Sequence, residues 1–141
     1  IVTAALNRAE AIIFEGFPPQ HPDPLERLGL FFHQRLELVE ANPAIVRLAM
    51  SDQLAQAAGG IGAERVADWK ARSAGFIREC LEEAQAAGSL RAGVSTGALS
   101  LVVLGSILSV SVAGNFSKDS GRTKPAEVWA TLMALVSRSG R

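Results

Sequence analysis

At 141 residues the chain is long enough for one domain with its own core, and its 48% apolar and 20% charged residues are those of an ordinary globular protein. Its 14 Lys and Arg balance 14 Asp and Glu. With no positive surplus to displace counterions from phosphates, these residues are a poor match for direct contact with DNA or RNA. A single cysteine, Cys80, excludes an internal disulfide and a thiolate zinc site and points to a reducing, cytoplasmic setting.

Nearly every long segment has an apolar period near 3.6 and ends in Gly or Pro, which predicts an all-α fold of six helices. The sequence opens at Ile1 inside such a pattern, with no methionine or capping residue before it. The expectation is a fragment lacking an N-terminal part. Asn7, Arg8 and Glu10 interrupt the first apolar residues, unlike the unbroken apolar block of a signal peptide. The first helix is expected over about Val2 to Glu15, with Val2, Leu6, Ala9 and Ile13 as its stripe.

The second helix opens with "DPLE": Asp23 caps, Pro24 suits the first helical position, and Glu26 completes a capping-box-like pattern. Leu25, Leu28, Phe32, Leu36 and Val39 line one face, and Pro43 pushes Asn42 out of the helix. A third helix is expected over about Pro43 to Ala57, stopped by Gly59 and Gly60. A fourth follows over about Ala63 to Ala87, with Val66, Trp69, Phe76, Ile77, Cys80, Leu81 and Ala84 inward, and ends at Gly88. "GSLRAGVS" is a connector in which Ser95 or Thr96 caps the fifth helix. The sixth runs from about Pro125 to Ser137.

Between Ala92 and Ser117 the chain carries no charge at all. About 20 residues cross a bilayer, yet much of this stretch is Ser, Thr, Gly or Asn, and no aromatic belt flanks it. "ILSVSV" alternates like a strand, but among helices a lone strand has no partner for its backbone groups. The third reading, a helix covered on all sides, fits best, and a domain of this size supplies such cover only with a second copy. Gly105, Ser109 and Ala113 lie at i, i+4 and i+8, where small side chains let another helix approach. Leu101, Leu104, Leu108 and Val112 form a bulky strip beside them. The last helix is similarly apolar, through Trp129, Leu132, Met133 and Val136. Two helices from each of two chains predict a four-helix interface in a two-fold homodimer, with no membrane partner.

Three stretches carry a family resemblance: "ERLGLFFHQRLELVEANPAIVRLAMSD" (26–52), "FIRECLEEAQAAGSLRAGVSTGALSLVVLGSI" (76–107) and the short final helix. Together they resemble the C-terminal ligand-binding and dimerisation domain of the TetR family of transcriptional repressors, over nearly the whole chain. The resemblance implies a DNA-binding helix-turn-helix domain ahead of residue 1, with residues 1–16 as the tail of the connecting helix. It also implies a dimer built on the last two helices. A small-molecule effector in the core would move the connecting helix and release the protein from DNA. DNA would be met only through that N-terminal domain. The run "ERLGLFFHQRLELVEANPAI" is similar to regulators of fatty-acid metabolism that respond to acyl-CoA.

On this reading the candidate ligand contacts are Phe32, Leu36, Met50, Leu54, Trp69, Phe76 and Cys80, with Ser73 as a polar anchor. Each serves equally as plain core, because lined pockets and filled cores use the same apolar residues. Trp69 needs a partner for its indole N–H once buried. Arg35, Arg47 and Arg72 are candidates for an anionic head group, or simply solvated charges. His33 and Glu37, at i and i+4, make half of a metal site at best, so no metal and no cofactor is expected. Glu79, Glu82 and Glu83 should disfavour a Cys80 thiolate. With neither His at a recognisable motif spacing, no nucleophile–base pair emerges and an enzyme is not expected. The competing reading is a helical homodimeric interaction module with a filled core and no ligand.

Overall fold

A computed structural model describes residues 2–44, 59–112 and 124–138. Among these residues there are five α-helices and no strand: α1 (Val2–Ile13), α2 (Pro24–Ala41), α3 (Gly59–Ala86), α4 (Thr96–Val112) and α5 (Pro125–Val136). The all-helical class read from the periodicity is the class observed. Of the expected third helix only Pro43 and Ala44, both helical, are described; the rest of it, including Met50 and Leu54, lies outside the described residues. A correction falls on Gly59 and Gly60. They belong to α3, which starts at Gly59 rather than about Ala63 and runs 28 residues. Glycine keeps its backbone N–H and so joins the helix ladder like any residue, at an entropic cost of about 0.5–1 kcal/mol relative to alanine.

The helix ends otherwise follow local chemistry. Asp23 is extended (φ −84°, ψ 120°), and its carboxylate accepts the Leu25 N–H at 2.9 Å, with Pro24 next in the chain. Asn42 ends α2, and its side-chain amide donates to the Leu38 carbonyl at 3.1 Å. Ser95 rather than Thr96 caps α4, its hydroxyl accepting the Ala98 N–H at 3.1 Å. After α3, Gly88 takes φ +74°. The Ser89 and Gly88 N–H groups then donate back to the carbonyls of Ala84 and Gln85, the paired bonds of a Schellman turn.

α2, α3, α4 and α5 share one core. Leu28, Phe32, Ile77, Leu81 and Val103 are fully buried in it, and Leu132 and Met133 of α5 close it. The whole expected inward face of α3, from Val66 to Ala84, is buried. A second, smaller cluster packs Leu6 and Ala9 of α1 on Val66 and Trp69 of α3. α5 is held at both ends of its contact. Trp129 lies against Phe32, with ring centroids 5.1 Å apart, and covers Gly29. At its C-terminus the Arg91 N–H donates to the Val136 carbonyl at 2.8 Å, and the Arg91 guanidinium reaches the carbonyls of Ser137 and Ala134.

Candidate functional site

Arg35 follows Phe31 by one turn of α2, and this spacing sets the guanidinium against the Phe31 ring, 5.0 Å from its centroid. Phe14 and Phe17, three residues apart after the end of α1, approach the same guanidinium at 5.3 and 5.8 Å. Arg35 Nη1 donates to the Ile13 carbonyl at 2.7 Å, and Nη2 donates to Ser73 Oγ at 3.2 Å. One half-buried side chain thus ties the end of α1 and the middle of α3 to α2. The ion pairs among the described residues are Arg27–Glu83 and Arg65–Glu10, so Arg35 has no carboxylate partner there. Burial, and then the neighbouring charge of Arg72, pulls its guanidinium down to about 10. Arg72 sits over the other ring of the group, 3.7 Å from the Phe14 centroid.

Arg35 lines a cleft of about 430 Å³ between the end of α1 and α2. Its apolar wall is Ile12, Ile13, Phe17, Phe31 and Leu38, and its polar groups are Glu15, Gln34, Arg35, Glu37 and Asn42. Small-molecule sites occupy roughly 300–1,000 Å³; this cleft falls in that range, with apolar and polar residues in equal number on its lining. A second groove of about 530 Å³ follows the 18–22 loop against Arg27, Phe76 and Glu79.

The expected ligand contacts divide. Ser73 and Phe76 do not line the cleft itself: Ser73 accepts from Arg35, and Phe76 packs on Phe31 and Phe17, with centroids 5.0 and 5.3 Å apart, and lines the second groove. Phe32, Leu36 and Cys80 are packed in the core and line neither cavity. The buried Trp69 indole donates to Glu10 Oε1 at 2.9 Å, and Glu10 Oε2 accepts Arg65 Nη2 at the same distance. Trp69 therefore belongs to the seam between α1 and α3. The Cys80 thiol is pushed up to about 11, chiefly by burial rather than by its acidic neighbours, and Arg27 acts against the rise. His33 Nδ1–H donates to the Gly29 carbonyl of its own helix, 2.8 Å away.

Large apolar side chains are uncovered on both α4 and α5. Leu101, Val102 and Leu108 of α4 are 72%, 50% and 40% exposed, and Leu135 of α5 is 66% exposed. Gly105 and Ser109 are exposed among them, and a methyl added at Gly105 would meet nothing in the chain. Leu104, Trp129 and Val136 are half-buried against the core. Leu132 and Met133 are buried within the chain itself, which leaves Leu135 as the outward apolar residue of α5. Val112 closes α4, and Ala113 lies outside the described residues. Among the described residues no helix is long and apolar enough to cross a membrane.

The described residues thus form an all-helical domain with a cleft beside its first helix and exposed apolar residues on its last two. Solved structures make the comparison specific. AibR in complex with isovaleryl coenzyme A and operator DNA matches with a TM-score of 0.68 at 19% identity, over 95% of this chain and 71% of that one. Apo AibR matches at 0.63 and 18% identity, over 96% and 72%. A transcriptional regulator of the TetR/AcrR family from Thermobifida fusca YX-ER1 matches at 0.60 and 17% identity, over 95% and 65%. No family model and no curated protein sequence matches the chain. The fold is that of the TetR/AcrR regulators.

Proposed function

We propose that the chain is the effector-sensing and dimerisation domain of a TetR-like transcriptional repressor. A small apolar or amphipathic ligand enters the cleft beside α1 and releases the full-length protein from DNA. The observation that carries this reading is the position of the cleft. It is bounded by Ile12 and Ile13 at the end of α1, and the Ile13 carbonyl is held by Arg35, which lines the same cleft. A ligand seated there meets the hold on α1 directly. Ligand shifts such an equilibrium only as far as it binds the two arrangements unequally. Paired DNA-reading heads must meet half-sites about one helical turn apart, so a displacement of α1 in each protomer of a dimer alters the fit. In this reading DNA is met through a separate N-terminal domain, in keeping with the neutral charge of these residues. Acyl-CoA thioesters are a first class to test, given the isovaleryl coenzyme A bound to AibR.

The dimer in this reading uses the bare face of α4 and α5, centred on Leu101, Gly105, Leu108 and Ser109. The test is a spin label on Asn7→Cys, an exposed α1 position, in a Cys80→Ala background. The distance between the two labels of a dimer is followed while acyl-CoA thioesters, fatty acids and alcohols are added. A change in that distance on binding is the expected result. Saturable binding with an unchanged distance overturns it. The full burial of Phe32, Ile77 and Cys80 favours a second reading, a homodimeric interaction module with a filled core, which dimerises and takes up none of these compounds.

A further inference from the structure

We infer that Arg35 is the receptor for a single carboxylate, on a ligand whose apolar body lies along Ile12, Phe17 and Leu38. The inference rests on the sensing reading and narrows its ligand class. A guanidinium has five N–H donors. Two go to the Ile13 carbonyl and Ser73 Oγ, and the other three have no acceptor among the described residues. A half-buried cation without a counter-charge is unfavourable. At about 10 the group is still charged at neutral pH, so a ligand is able to supply the counter-charge that the described residues do not.

The surroundings select the kind of anion. Three phenyl rings pack around the guanidinium carbon, and Arg35 also lines the cleft. A planar carboxylate matches that fork through two parallel bonds. A polyphosphate needs several cations, whereas the described lining of this cleft carries Glu15 and Glu37 beside Arg35, and Arg72 stands over Phe14 outside that lining. The apolar wall beside the charge then calls for an aliphatic acid. Because the same guanidinium grips the last carbonyl of α1, a carboxylate drawing on Arg35 also alters that grip.

The test compares octanoate, octanol and octanoyl-CoA by calorimetry on the wild-type chain, Arg35→Met and Arg35→Lys. Hydrogen bonds to a charged group predict octanoate binding about 10- to 100-fold tighter than octanol in the wild type. Arg35→Met erases that difference while octanol still binds, and Arg35→Lys restores part of it. A second readout needs no variant: the Arg35 Nε–H resonance moves with octanoate and stays with octanol. Equal binding of octanoate and octanol to the wild type overturns the inference and leaves the sensing reading standing. Octanoyl-CoA binding more tightly than octanoate, with the same dependence on Arg35, overturns it in favour of phosphate recognition. Binding of none of the three overturns both.

Discussion

Leu101→Ala separates the two surfaces of this molecule. Leu101 is 72% exposed in the isolated chain, so the change touches little of the fold and stability stays within about 0.5 kcal/mol of the parent. In the proposed dimer the same residue is covered. Removing three buried carbons costs about 2.4 kcal/mol at ~0.8 kcal/mol per CH₂. Scaled to the 72% of the residue that a partner is able to cover, that is about 1.7 kcal/mol per copy. Two-fold symmetry doubles it to about 3.5 kcal/mol, a dimer weakened roughly 300-fold. Sedimentation velocity over a concentration series reads the shift, and thermal unfolding followed under conditions where both proteins are monomeric confirms an intact fold. Val103→Ala, two residues on and therefore on the opposite face of the helix, where it is fully buried, is the converse control and lowers Tm instead. An unchanged dimer constant in a folded Leu101→Ala protein refutes the assignment of this face.

Three further outcomes follow from named contacts. Glu10 is held below its ordinary 4.5, first by the Trp69 indole and then by Arg65. A carboxylate with a lowered folded pKa contributes stability that is present above about 4.5 and lost as pH falls through the folded value, so melting curves of Glu10→Gln between pH 6 and 3 should show a flatter pH dependence than the parent. At Gly29 a methyl would come 2.8 Å from Trp129 Nε1. Overpacking costs roughly 1–3 kcal/mol and alanine's better helix propensity returns up to about 1 kcal/mol, so Gly29→Ala should lose about 1–2 kcal/mol in urea unfolding, with altered Trp129 fluorescence. The buried Cys80 thiol, pushed up to about 11, should resist a thiol-disulfide reagent at pH 8 in the native protein and react at once in guanidinium; rapid native reaction contradicts its placement.

Much of the fold was legible because short-range chemistry fixes it. Asp23 and Pro24 start a helix through groups two residues apart, Gly88 ends one through its own φ, and the stripe from Val66 to Ala84 needs only a period. Gly59 and Gly60 misled because a glycine pair reads as a stop, whereas at a helix start it costs little. The site was less legible because its contacts are remote in sequence. Trp69 finds its acceptor in Glu10, 59 positions away, and Arg35 finds Ser73 at 38. Arg35 was among three candidate arginines, and what distinguishes it is the company of Phe14, Phe17 and Phe31. The i, i+4 spacing of Phe31 and Arg35 was a visible signal for part of that group. Which of the adjacent Phe31 and Phe32 lines the cleft depends on helix phase against neighbours that periodicity alone does not locate. The uncharged stretch was legible as a helix, and its bare face is consistent with the reason given for it, since Leu101 and Leu108 find no cover within the described chain.

The most direct measurement is native mass spectrometry of the chain purified without detergent, before and after addition of octanoate. A dimer that carries or takes up one small acid per protomer is the expected result. A monomer, or a dimer that takes up nothing at saturating octanoate, contradicts the reading of this chain as a dimeric sensor of small organic acids.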